Sequence, residues 1–162
     1  MRYSKVRDVK SPTRGTGKAA GIDFFVPNFE KAICVQPGND VLIPSGIKAE
    51  IPEGYMLMAA DKSGVVTSKW ACIGAGRKPK AEAFDSSVIV GAKIVDEDYQ
   101  GEIHIHLVNV GNAPVSIEPG SKIAQFILVP VSYEGLEEVP EKELFTRSSD
   151  RGEGALGSTG SR

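Results

Sequence analysis

Residues 91–109 read GAKIVDEDYQGEIHIHLVN. The stretch opens apolar, turns through Asp96-Glu97-Asp98-Tyr99-Gln100-Gly101 and returns as Ile103-His104-Ile105-His106-Leu107. In the returning half apolar and polar side chains alternate, the period that sends successive side chains to opposite faces of a strand. Asp and Gly are favoured turn residues, so the stretch predicts an acidic β-hairpin. Tyr99 strains that plain reading. An aromatic beside Gly101 offers a flat face to a ligand, and a neighbouring carboxylate can take a proton from water.

Outward from this stretch the same rhythm recurs. Eighteen glycines and ten prolines punctuate the chain too often for long helices. Residues 41–44, 47–51, 55–59, 87–95, 103–108, 115–117 and 123–131 are short segments rich in β-branched side chains and read as strands. Pro37-Gly38-Asn39, Pro52-Glu53-Gly54, Gly111-Asn112 and Pro119-Gly120 supply turns between them. Many short strands at regular spacing predict an all-β sandwich or jelly-roll-like barrel. Helix is expected only around residues 63–70 and 141–145. Two segments break the rhythm: residues 69–85 (KWACIGAGRKPKAEAFD), a loop with Arg77, Lys78 and Lys80, and the Gly/Ser-rich end from residue 147. The latter is too poor in apolar side chains to order itself without a partner.

A chain of 162 residues, 41% of them hydrophobic, suits one domain with a buried core. The formal charge of -2 is spread among interspersed acids and bases, which marks neither a nucleic-acid nor a membrane surface. No apolar run approaches the ~20 residues that span a bilayer. Met1-Arg2-Tyr3-Ser4 begins no export signal, so a cytoplasmic location is expected. Cys34 and Cys72 fit no metal spacing and are expected to be reduced thiols filling space.

Asp96-x-Asp98-Tyr99-x-Gly101-Glu102, with Asn109 closing the strand, resembles the third motif of the trimeric deoxyuridine triphosphatases, the dUTPases. The family's other motifs then appear in order across almost the whole chain. Ala20-Gly21-Ile22-Asp23 resembles the first, Lys62-Ser63-Gly64 the second, and Gly120-Ser121-Lys122-Ile123-Ala124-Gln125, running into Val129-Pro130-Val131, the fourth. Arg151-Gly152-x-Gly154-Ala155-Leu156-Gly157-Ser158-Thr159-Gly160 resembles the fifth. Each is weak alone; five in order are not a coincidence of composition.

The resemblance implies a distorted jelly-roll-like β domain over residues 1–146, with 69–85 as an extra loop, and a flexible arm over residues 147–162. It implies a homotrimer whose sites are shared between subunits. The implied reaction is Mg²⁺-dependent hydrolysis of dUTP to dUMP and pyrophosphate. Asp96 would be the general base on a water aimed at the α-phosphorus. Lys62, Ser63, Gly64, Gln125 and Arg151 would hold phosphates, and Asp23 would join the magnesium shell through water. Tyr99 would pack under the deoxyribose and exclude a 2′-hydroxyl. The backbone from Val90 through Lys93 to Asp96 would read the base. On the arm, Gly157, Ser158 and Thr159 would offer N–H and hydroxyl donors to phosphate, with Leu156 over the base.

Departures from the family pattern cluster at these contacts. Lys62 replaces arginine, keeping the charge but losing the rigid fork. Leu156 replaces a phenylalanine that stacks on uracil, Ala155 replaces glycine, and Lys93 replaces glycine in the base segment. The 69–85 loop is either a tolerated surface insertion or an element at the pocket mouth. A modified pyrimidine or another base is therefore an alternative substrate, and a non-catalytic binding protein on the same scaffold a second alternative. His104 and His106 share a strand face, but without an apparent third ligand they read as structural. The related dCTP deaminases carry a catalytic glutamate three residues before the strand-closing asparagine; here that position is His106, which argues against deamination.

Overall fold

Thirteen strands and two single-turn helices make up the described part of this computed structural model, which covers residues 1–66, 72–73, 87–150 and 152–153. In chain order they are β1 (Arg2–Lys5), β2 (Thr13–Arg14), β3 (Gly21–Phe25), β4 (Ile33–Val35), β5 (Asp40–Pro44), β6 (Ile47–Glu50) and β7 (Tyr55–Asp61). Then come α1 (Ser63–Val66), β8 (Cys72–Ile73), β9 (Val88–Val90), β10 (Ile94–Val95), β11 (His104–Asn109), β12 (Val115–Ile117), β13 (Lys122–Pro130) and α2 (Glu141–Leu144). Residues 1–132 form one unit and residues 133–162 another.

The first unit is all-β and jelly-roll-like, built of four small sheets in the orders β1-β6, β10-β7-β13-β3-β2, β5-β11-β9 and β4-β12-β8. The alternation in β11 does what its period dictates. Ile105 and Leu107 are fully buried, while His104 and His106 take the other face. Ile105 lies opposite Ile43 of β5 and Leu107 opposite Val90 of β9. The core beneath them holds Leu57, Ile103, Ile117 and Ile123, with the Phe24 and Phe126 rings 4.3 Å apart. Each such side chain contributes about 1.5–3 kcal/mol by leaving water. Asn109 is buried too. Its side chain donates to the carbonyls of Val35 and Ala113 (2.9 Å each) and accepts from Gly111 N–H (3.0 Å), so it ties the end of β4 to the loop that follows β11.

Several expectations need correction. The acidic turn does not close a hairpin between its flanking strands: β10 pairs with β7, and β11 pairs with β5 and β9. The strand expected over 87–95 is two strands in different sheets, interrupted at Gly91-Ala92-Lys93. Strands β1, β2, β3, β4 and β8 were not expected from the pattern, because they are short or lack alternation; β3 buries Asp23, Phe24 and Phe25 in succession. The first helix is seen at Ser63–Val66, and the remainder of the expected 63–70 lies outside the described residues. Cys34 is a free thiol but exposed, so it fills no core space. In the second unit α2 has no buried residue. No helix among the described residues is long and apolar enough to cross a membrane.

Candidate active site

Antiparallel pairing of β3, β13 and β7 brings three motifs to one end of the central sheet. Gln125 of β13 lies opposite Asp23 on one side and Ala60 on the other. Lys62 follows directly on β7, and α1 begins at Ser63 and Gly64, with Val65 N–H donating to the Lys62 carbonyl (2.8 Å). Asp23, only 5% exposed, receives Lys62 Nζ on Oδ1 (2.8 Å) and Lys122 Nζ on Oδ2 (3.0 Å). Burial pushes the Asp23 carboxyl up, but the two ammonium groups outweigh it and hold the pKa below the ordinary aspartate value. The trio carries one net positive charge, and each ammonium keeps donors beyond the one given to Asp23. This strand end suits an anion.

Asp61 joins that end to the next segment. Its backbone carbonyl accepts from Gln125 Nε2 (2.9 Å), and its carboxylate accepts from Val90 N–H (2.6 Å). Gly21 makes the arrangement possible: a Cβ there would lie 1.9 Å from Gln125 Oε1. Beyond Val90 the Lys93 side chain is exposed and its carbonyl accepts from Ala59 N–H (2.6 Å).

The acidic turn stands elsewhere. Val95 lies opposite Leu57, and Glu97 accepts from Gly54 N–H (2.7 Å), so Asp96 leaves at the N-terminal end of β7. Ser63 and Gly64 follow its C-terminal end. Seven extended residues put about 20 Å between the two ends. Asp96 itself is exposed, its carbonyl accepting from Tyr99 N–H (3.2 Å). Tyr99, 44% exposed, donates its hydroxyl to the Glu102 carbonyl (2.9 Å). Its ring lies over Gly101, where a Cβ would fall 2.4 Å from ring carbon Cζ. Glu102 receives a bidentate Arg7 (2.7 and 3.0 Å) and Gly46 N–H (2.7 Å), which anchors the turn to the N-terminal segment.

One chain therefore gathers Asp23, Lys62, Ser63, Gly64 and Gln125 at one end of β7, and carries Asp96 and Tyr99 at the other. Arg151, Leu156, Gly157, Ser158 and Thr159 lie outside the described residues. Sequence reasoning passed over Lys122 and Asp61. Lys122 stood inside the fourth motif and Asp61 directly before the second, but only tertiary pairing reveals their partners. Among the described residues no three His, Cys, Asp or Glu side chains group as metal ligands. With both Asp23 oxygens holding lysines, the donor set fits a hydrated ion met through water and not direct ligation.

A family model for dUTPase matches residues 7–160. The chain belongs to the dUTPase family. Among curated relatives, the deoxyuridine 5'-triphosphate nucleotidohydrolase of Chlamydia pneumoniae is 37% identical over 149 residues, 92% of this chain and 90% of that protein. Among solved structures, the dUTPase of Staphylococcus bacteriophage 80alpha with dUpNHpp matches 98% of this chain and 97% of its own at a TM-score of 0.77 and 21% identity. A variant dUTPase from S. aureus phage phi11, whose structure concerns coordination of a structural Mg(II) ion, covers 86% of this chain and 96% of its own at a TM-score of 0.67 and 18% identity. At those identities the phage structures speak for the fold.

Proposed function

We propose that this dUTPase family member hydrolyses dUTP to dUMP and pyrophosphate, with magnesium carried on the triphosphate. A single observation carries the arrangement of the site. The cationic strand end and the acidic turn lie at opposite ends of β7, about 20 Å apart. Since the reaction needs both, a triphosphate held by Lys62, Ser63, Gly64 and Gln125 of one chain meets Asp96 and Tyr99 of another. A closed homotrimer with three equivalent sites satisfies that need, and residues 147–162, with Arg151, Leu156, Gly157, Ser158 and Thr159, serve as the arm closing each site.

Asp96 is exposed enough to meet water and nucleotide together. It takes a proton from water as the water oxygen bonds to the α-phosphorus. The bond from that phosphorus to the β-bridging oxygen breaks, and its electron pair leaves with pyrophosphate. Lys62 and Lys122 meet the charge gathering on the phosphates. Magnesium bound to the triphosphate would neutralise its charge, and Asp23 would hold that ion through water. Tyr99 supports the deoxyribose, and the backbone from Val90 to Asp96 receives the base. A cytoplasmic location is part of the same proposal.

Turnover of dUTP in ¹⁸O-water tests this reading. The label is expected in dUMP and not in pyrophosphate, and activity is expected to disappear with EDTA and return with Mg²⁺. Label in pyrophosphate, or no dUMP at all, would overturn it. A parallel panel of dCTP, dTTP and 5-substituted dUTPs reads the effect of Lys93 and Leu156 on the choice of base.

A further inference from the structure

His106 occupies the space beside the three residues that interrupt β9 and β10. Gly91 N–H donates to the His106 carbonyl (3.0 Å), and Ala92 N–H donates to Nδ1 of its ring (2.9 Å). On the other side of the ring, Nε2 lies 3.0 Å from Asp40 Oδ2 on β5. An imidazole nitrogen that accepts from an amide carries no hydrogen. The ring is therefore in its Nε2–H form and donates to Asp40, which fixes that tautomer. Glycine at 91 is what lets the ring approach so closely, because a Cβ there would fall 2.3 Å from Nδ1. Together with Asp61 on Val90 and the Ala59 N–H on the Lys93 carbonyl, the imidazole pins the backbone from 90 to 93. Asp61 and His106 are the two side chains in that set of contacts.

We propose that His106, its tautomer held by Asp40, is a positioning residue for the base-reading segment, setting the backbone at Ala92 and through it the affinity for the uracil end of the nucleotide. This rests on the reading that residues 90–96 receive the base. It assigns the histidine a task separate from phosphate binding and from proton transfer, which is what makes it testable. Losing the imidazole should weaken the hold on the nucleotide and leave the chemical step and the phosphate contacts alone.

Steady-state kinetics with dUTP, run on the parent protein and on H106A, H106N and D40A, decide the matter. In H106A the KM is expected to rise about five- to tenfold, the loss of one hydrogen bond and the order it imposes, with kcat within about twofold of the parent. Asparagine places Oδ1 where Nδ1 stood, so H106N should bring KM back to within about twofold. D40A, which frees the tautomer, should lie between the parent and H106A. Inhibition by inorganic pyrophosphate should be the same in all four proteins. An unchanged KM in H106A, or pyrophosphate inhibition that falls in step with it, overturns the proposal. Should H106A fail to fold, H106N and D40A carry the same test. The ¹⁵N shifts of the His106 ring provide an arm independent of turnover: a hydrogen on Nε2 and none on Nδ1 is expected, and the opposite tautomer overturns the proposal. A parent protein that does not turn over dUTP counts against the proposed function, whereas turnover with no KM effect in H106A counts against this inference alone.

Discussion

Asp23 carries a charge in a place where burial alone would raise its carboxyl pKa. Lys62 and Lys122 reverse that outcome and hold its pKa below the ordinary aspartate value. A carboxyl whose folded pKa is depressed contributes stability that is fully present above its unfolded value, near pH 4, and is lost as pH falls through the folded one. Asp23→Asn is therefore expected to lower unfolding free energy by about 1–2 kcal/mol at pH 7, the modest end because the lysines remain 31% and 41% exposed. The gap between variant and parent should narrow steadily as pH falls below about 4, as urea midpoints at several pH values would reveal. A gap that stays constant with pH would mean that the charge is not what Asp23 contributes. Asp96 is the opposite kind of residue: exposed and, among the described residues, bound only through its backbone, so of little use to the fold. Asp96→Asn should cost ~10²–10⁴-fold in kcat. Its melting temperature and nucleotide binding, read by calorimetry with a non-hydrolysable analogue, should stay near the parent's. Equal losses in binding and turnover would make Asp96 a binding group and not a base.

At the scale of elements, what the pattern showed depended on whether one face or both were buried. β11 has one buried face, so its alternation was readable from residues 103–107 alone. β3 was not, since Gly-Ile-Asp-Phe-Phe lacks a period of two and its aspartate is buried only because two distant lysines meet it. The break between β9 and β10 was hidden for a similar reason, because it depends on a histidine ring from another strand. The candidate site was legible as five motifs through the family resemblance, whereas Asp61 and Lys122 became visible only when β7, β13 and β3 were paired. The junction between β5 and β6 carries a further dependence. Gly46, at a φ of 74°, donates to Glu102, and a Cβ on it would lie 2.8 Å from Val9 Cγ1 and 3.1 Å from Arg7 Cβ. Left-handed backbone and a crowded Cβ act together here. Gly46→Ala should cost about 1–3 kcal/mol in urea unfolding, and by shifting Arg7 it should loosen the Arg7–Glu102 pair that anchors the acidic turn. The accompanying observable is a lower kcat/KM at temperatures where the variant remains folded. Full activity in a destabilised variant would separate the turn's anchoring from its function.

For the whole molecule, the decisive quantity is the distance between the two ends of β7. If one chain cannot bring Asp96 to its own cationic strand end, activity belongs to the assembly, and three chains of 17.3 kDa should give a particle of about 52 kDa by light scattering. The division of labour predicts more than a mass. A chain with Asp96→Asn keeps its arm and its phosphate residues but should be inactive alone, and a chain truncated after residue 146 keeps Asp96 but should be nearly inactive for want of Arg151 and the glycine-rich arm. The two are unfolded together, refolded at equal concentration and allowed to form mixed trimers; on the proposed sharing of sites, the acid and the arm of each site come from different chains. Random assembly then makes about one site in four complete, so activity should return to about a quarter of the parent's from two parents that have next to none. An arm that served its own subunit would give no such recovery, because no site would then hold an intact acid and an intact arm from the same chain. The same mixture, kept as separately folded homotrimers and assayed at once, should stay inactive, which ties any recovered turnover to exchange of subunits within a particle.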